Sequence, residues 1–184
     1  MDKFKAIVVN QVEENFTREL QEVDISFLKD GDVTVKVEYS SLNYKDGMIL
    51  KNGGNLVKDY PHIPGIDFAG IVEASEDPNF TTGDKVILTG WRVGEIYYGG
   101  YAQYAKVKGK FLVKTPEGLS NKDAMALGTA GFTALLCTFA IQARETILLG
   151  EPIQDVLVTG ATGGVGSVAV MALSKLGYNV TGVT

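Results

Sequence analysis

From residue 4 to about residue 116, hydrophobic and polar positions alternate over short runs rather than recurring at helical spacing. Strands are predicted at residues 4–9, 33–40, 68–74, 85–89, 101–107 and 111–114, each rich in β-branched or aromatic side chains. Between them stand the turn signals Asp30-Gly31, Gly53-Gly54, Gly83-Asp84 and Gly99-Gly100. Short strands punctuated in this way predict a compact antiparallel, barrel-like domain. Only residues 42–50 read as helical in this part.

The pattern changes after TPEGLS. Ser120 is placed to cap a helix, and Asp123, three residues on, supplies the acidic member of a capping box. Residues 124–144 are apolar on most faces, which predicts a buried or bridging helix pair, with Gly128 and Gly131 marking a break or a close approach. A domain boundary is therefore expected near residues 117–122, dividing the chain into 1–120 and 121–184. The stretch DVLVTGATGGVG at 155–166 then runs from an apolar strand through a glycine-rich turn into a helix over 164–176. Val165, Val168, Ala169, Ala172, Leu173 and Leu176 form its apolar stripe, Gly177 is placed to end it, and a second strand follows at 178–184. That order predicts a β-α-β unit with parallel strands.

Composition narrows the function classes. Over 184 residues, 45% are hydrophobic and 21% charged, which suits a folded globular chain. A net charge of −5 argues against nucleic acid or an anionic membrane as partner. The single cysteine, Cys137, forms no internal disulfide, and the N-terminus lacks the apolar core of a signal peptide. No uninterrupted apolar run reaches the ~18 residues of a membrane span. The expected location is the cytoplasm.

The glycine turn carries the clearest chemistry. Gly160 opens it, while Gly163, Gly164 and Gly166 leave room for a pyrophosphate to approach backbone N–H groups at a helix N-terminus. Ala161 departs from the G-x-G-x-x-G pattern. An NAD-selective site carries a carboxylate roughly 20 residues beyond the turn. This chain reads NVTGVT there, and Thr184 leaves space for a 2′-phosphate, so NADPH is the expected cofactor.

Five ordered motifs span the chain: SSLNYKDG at 40–47, PHIPGIDFAG at 61–70, EDPNFTTGDKV at 76–86, GTAGFTA at 128–134 and VTGATGGVGS at 158–167. On these the sequence resembles the medium-chain dehydrogenase/reductase superfamily, within it the quinone-oxidoreductase-like YhdH/YhfP group that includes acryloyl-CoA reductases. The resemblance implies a mixed α and β fold, with an N-terminal GroES-like catalytic domain followed by the first β-α-β part of a Rossmann domain, and an active site between the two. It assigns Tyr44 to the nicotinamide end of NADPH. Thr162, Gly163, Gly164 and Val165 become the phosphate-cradling loop with Gly160, Thr184 the start of the 2′-phosphate site, and Thr129 of the GTAGFTA motif a further cofactor contact. The family's remaining strands have no counterpart, so a C-terminal truncation is expected, leaving these 184 residues inactive and poorly soluble alone. A homodimer is implied for the complete protein.

Catalytic zinc needs three protein ligands and an open position. This chain has one cysteine and one histidine. By the resemblance, Ile66 and Asp67 stand where zinc alcohol dehydrogenases carry His and Glu, so no metal is expected. Hydride delivery to the β-carbon of an α,β-unsaturated carbonyl compound, with protonation at the α-carbon, is then the natural reaction. Tyr44 is the candidate proton donor, and Asn43 the candidate holder of a substrate carbonyl or cofactor amide; against that, Tyr44 reads as a half-buried aromatic at a domain edge. Lys45 and Asp46 read as a local ion pair or helix cap. Asp67 reads equally as a carboxylate near the site or as a turn acceptor. His62 reads as unpartnered and Cys137 as a buried inert thiol, while Trp91, Arg92, Tyr97 and Tyr98 read as the border of a substrate entrance or, more simply, as surface packing. The substrate implied is a short enoyl-CoA such as acryloyl-CoA. A quinone is the enzymatic alternative, and a non-catalytic binding module with a vestigial nucleotide half is the alternative of another class.

Overall fold

A computed structural model describes residues 3–29, 31–144 and 153–184. The chain divides into two compact units, Met1–Gly128 and Thr129–Thr184. The sequence boundary near 117–122 falls at the start of a helix whose first two turns lie in the first unit.

In the first unit, β3 (Val33–Tyr39), β4 (Asp67–Ser75), β5 (Lys85–Thr89), β6 (Tyr104–Val107) and β7 (Val113–Lys114) form an antiparallel sheet in the order β6-β3-β4-β5-β7. Alternate residues of its strands enter one core: Val33 and Val35, Phe68 and Val72, Val86 and Leu88 are all fully buried. A hairpin of β1 (Lys3–Val12) and β2 (Asn15–Asp24) pairs in unbroken register from Lys3 opposite Asp24 to Val12 opposite Asn15. It joins the rest through Ile7 N–H donating to the Tyr101 carbonyl at 2.8 Å and Val9 N–H donating to the His62 carbonyl at 2.8 Å. Residues 101–103, expected within a strand, thus pair mainly with β1, and β6 begins only at Tyr104. No strand is expected from the pattern at β2, because among its ten residues only Val23 is buried and the apolar alternation is absent. The ladder to β1 holds it.

The first helix, α1 (Tyr44–Asn52), starts two residues later than its apolar pattern, because Asn43 N–H donates to Asp46 Oδ2 at 3.0 Å and sets the first turn. It ends at Gly53, whose φ of 74° is the left-handed geometry of a helix C-terminus. Helix α2 (Asn121–Arg144) begins as expected: Ser120 Oγ lies 2.5 Å from Asp123 Oδ2 and accepts the Asp123 N–H at 3.0 Å. It breaks at Gly128 (φ 53°, ψ −157°) and continues through Gly131 without a second break. Over 24 residues, with a mean hydropathy of 1.8 across its most apolar window, α2 is long and apolar enough to cross a membrane by length and composition alone. The expectation of no such segment counts only uninterrupted apolar residues, and interspersed Thr and Gly hide it.

In the second unit, β8 (Asp155–Thr159) and β9 (Asn179–Val183) are parallel, with Asp155 opposite Asn179 and Thr159 opposite Val183. Between them runs α3 (Gly164–Lys175), which buries Ala169 and Leu173. The ends of its predicted stripe, Val165 and Leu176, are exposed. Gly177, at φ 94°, turns the chain so that Tyr178 N–H donates to the Leu173 carbonyl at 3.1 Å.

Candidate active site

The loop before α1 folds around a buried carboxylate. Asp67, the first residue of β4, is fully buried. Its oxygens accept from Ser41 N–H at 3.0 Å, from Ser41 Oγ at 2.8 and 2.7 Å, and from Asn43 Nδ2 at 3.1 Å. Ser40 Oγ donates to the Asp67 carbonyl at 2.7 Å, so loop and strand are tied by both side chain and backbone. These contacts around one carboxylate offset much of the cost of burying it. Asn43 also donates to Ser41 Oγ at 3.2 Å, which places it within this network. Gly128 closes the other side: a Cβ built there would stand 2.6 Å from Ser41 Oγ and 3.1 Å from Asp67 Oδ2.

A second carboxylate braces the same loop. Asp46, fully buried, accepts the Asn43 N–H at 3.0 Å and the Ile66 N–H at 3.0 Å. Burial pushes its carboxyl above the ordinary range, and these hydrogen bonds oppose the shift. Tyr101 donates to the Ser41 carbonyl at 3.2 Å. Burial first, and the neighbouring Asp46 charge second, push its phenol well above the usual tyrosine value. Asp46 thus helps to cap α1 as the acidic member of a capping box whose N-cap is Asn43, as one reading of the sequence has it. Lys45 pairs instead with Glu95 at 2.8 Å, replacing the expected local pair.

On this scaffold Tyr44, the first residue of α1, stands 87% exposed, so the half-buried reading is corrected. With Leu42, Asn43, Met48 and Lys51 it lines a shallow depression of about 510 Å³. His62 is not unpartnered: it is buried, and its Nε2 lies 2.8 Å from the Gly94 carbonyl. Trp91 stacks on Phe111 at 5.0 Å near the surface, whereas Tyr98 is buried in the core rather than at the surface and donates to the Pro61 carbonyl at 2.8 Å. Among the described residues no group of three or more His, Cys, Asp or Glu stands where it would hold a metal ion.

In the second unit the glycine turn is closed by its own backbone. Gly160 has φ 63°, Gly163 N–H donates to the Gly160 carbonyl at 2.9 Å, and Ala161 N–H donates to the Val183 carbonyl at 3.0 Å. A Cβ on Gly166 would run into the Gly160 carbonyl, so glycine is required there. Gly163 caps α3 without a side-chain hydrogen bond, leaving first-turn N–H groups for an external acceptor. Thr162, Gly163, Gly164, Val165 and, beyond β9, Thr184 are all exposed, while Thr129 is half-buried and its carbonyl accepts from Thr133 Oγ1 at 2.8 Å. Cys137 is exposed rather than buried, because α2 leaves Phe132, Leu136 and Phe139 of the same stretch uncovered as well.

Residues 29–117 match the model of the alcohol dehydrogenase GroES-like domain. The acrylyl-CoA reductase AcuI of Ruegeria pomeroyi is 53% identical over 183 residues, covering 98% of this chain and 54% of that protein. The chain belongs to the medium-chain dehydrogenase/reductase superfamily.

Two solved structures of that superfamily carry the likeness into three dimensions. The YhdH oxidoreductase of Salmonella enterica, in complex with NADP, is 50% identical with a TM-score of 0.90, covering 98% of this chain and 55% of that one. The YhfP protein of Bacillus subtilis, with NAD bound, is 43% identical with a TM-score of 0.90, covering 99% and 54%. The chain thus spans about half the length of these relatives. A mixed α and β fold, with a GroES-like domain followed by the start of a Rossmann-type fold, agrees with the motifs. Gly128 is the break and close approach that the sequence marks, whereas motif reading passes over Ser41 and Tyr101. Their one signal is Asp67, an acid set between Ile66 and Phe68 in an apolar strand, which needs donors from elsewhere.

Proposed function

We propose that the protein is an NADPH-dependent, zinc-independent reductase of α,β-unsaturated carbonyl compounds, with a short enoyl-CoA such as acryloyl-CoA as substrate. The observation that carries this reading is the glycine turn, whose exposed loop and uncapped helix N-terminus suit a pyrophosphate. Gly160, Thr162, Gly163, Gly164 and Val165 would hold the phosphates, Thr184 the 2′-phosphate, and Thr129 and Tyr44 further parts of the cofactor. A relative named acrylyl-CoA reductase and a neighbour bound to NADP support substrate and cofactor. In this reading residues 1–120 carry the catalytic groups and 121–184 the cofactor site, and the working protein is a cytoplasmic homodimer.

When bound, NADPH supplies the hydride that adds to the β-carbon. Tyr44 gives its phenolic proton to the α-carbon and, being exposed, regains one from solvent. Asn43, whose two amide N–H groups are given to Ser41 and Asp67, fixes the loop from which Tyr44 projects, and neither is left for a substrate carbonyl. Independence from zinc is supported by how the two nearest ligand types are used: His62 is held by the Gly94 carbonyl, and Asp67 by Ser41 and Asn43.

The test is an assay of the protein at the full length its gene encodes, following NADPH oxidation with acryloyl-CoA and with 1,4-benzoquinone, before and after treatment with a chelator. Chelator-resistant turnover of acryloyl-CoA is the expected result, with Tyr44→Phe slowing it by about 10²-fold or more while NADPH still binds. Turnover of the quinone alone moves the substrate class. Tighter binding of NADH than of NADPH overturns the cofactor, and absence of nucleotide binding leaves a non-catalytic module.

A further inference from the structure

Away from Tyr44, the first unit has a cavity of about 530 Å³ that the proposed reaction does not use. Four separate segments build it. Lys29 follows β2, Lys58 and Tyr60 lie in the loop before β4, Tyr97 and Tyr98 in the loop before β6, and Lys106 within β6. None of the three lysines takes part in an ion pair among the described residues. Among the described residues one carboxylate, Asp59, shares the lining. His62 adds no charge at neutral pH, since burial lowers its imidazole from the usual value.

Three cations gathered around one concavity repel one another, and an anion seated among them would relieve that repulsion. The aromatic walls are fixed. Tyr98 stacks on Phe27 at 5.4 Å, is tied to the Pro61 carbonyl, and carries Lys29 Nζ 5.3 Å from its ring centre. Tyr60 meets Phe16 edge-on at 6.2 Å.

We propose that this cavity binds an organic phosphate, with the phosphate among Lys29, Lys58 and Lys106 and the attached planar group against Tyr60 and Tyr97. Lysine ammonium groups serve as point charges for a phosphate, and tyrosine faces bury a ring without losing a polar partner. The shared chemistry has two sources: a free nucleotide, or the phosphoadenosine end of a CoA thioester. The site is independent of the glycine turn, so it stands or falls apart from the cofactor reading.

The experiment is calorimetric titration of the full-length protein with ADP, CoA, adenosine and inorganic phosphate, with NADPH held at one equivalent to fill the turn in the second unit without loading the cavity. NADPH binding is measured separately, so failure there bears on the proposed reaction and not on this cavity. ADP and CoA are expected to bind, adenosine not to, and the double variant Lys58→Glu with Lys106→Glu to lose about tenfold or more in affinity. Tighter binding of CoA than of ADP names the substrate as the source, and equal binding names a free nucleotide. Lys58 is exposed and Lys106 half-buried at the surface, and an unchanged melting temperature confirms the fold of the variant. The proposal is overturned if no organic phosphate binds up to roughly 10 mM, if the variant binds equally well, or if inorganic phosphate binds as tightly as ADP.

Discussion

The Ser41 hydroxyl sits against both oxygens of the Asp67 carboxylate, 2.8 Å from Oδ1 and 2.7 Å from Oδ2. This contact joins the loop carrying Asn43 and Tyr44 to the start of β4, so the position of the site is set by a buried charge rather than by apolar packing. Replacing that charge by an amide turns an acceptor toward Asn43 Nδ2 into a donor. Asp67→Asn is expected to cost about 1–3 kcal/mol in denaturant unfolding, with loss of activity beyond what the remaining folded fraction explains. An unchanged midpoint would show that the donors find other partners.

Gly128 offers a contrast between two glycines. At φ 53°, with a Cβ falling 2.6 Å from Ser41 Oγ, Gly128→Ala is expected to destabilise the protein by about 1–3 kcal/mol and to loosen the Ser41–Asp67 contact. Gly47, inside α1 with open space at its Cβ, is the opposite case: Gly47→Ala is expected to stabilise by about 0.5–1 kcal/mol. Thermal melts of the two variants should move in opposite directions.

Residues whose local pattern matches their surroundings are legible in the sequence alone. The Ser120–Asp123 cap, the left-handed Gly177 and the β8-α3-β9 order all follow from short-range chemistry. Where partners lie far along the chain, the pattern is silent. Strand β2 buries little and exists because β1 pairs with it, and His62 reads as unpartnered because Gly94, which holds it, lies 32 residues on. Cys137 misleads for another reason. An apolar helix implies a cover, yet composition does not say which face receives one.

The only histidine in the chain gives a clean pH signal. Burial pushes His62 below its ordinary value of 6.5, against the opposing hydrogen bond to Gly94. The unfolded chain therefore takes up a proton near pH 6.5 while the folded one still resists it. Its contribution to stability is present above 6.5 and is lost as pH falls through the lower folded value. The imidazole resonance in proton NMR should titrate below 6.5, and His62→Gln should flatten the fall in stability over that window. A midpoint at or above 6.5 would contradict the buried, neutral ring.

The glycine turn supplies a prediction confined to the second unit. A methyl group on Gly166 meets the Gly160 carbonyl, so the variant must move either the start of α3 or the turn itself. Both carry the N–H groups offered to a phosphate, and an N–H displaced by about half an ångström loses much of a charge-assisted hydrogen bond. Gly166→Ala is expected to weaken NADPH binding by roughly tenfold or more, measured by quenching of protein fluorescence. The single tryptophan, Trp91, stacks on Phe111 within the first unit, so its emission maximum in the nucleotide-free protein should stay where it is in the parent. A shifted maximum would mean that the substitution had disturbed the whole chain, whereas full NADPH affinity would remove the turn from the cofactor site.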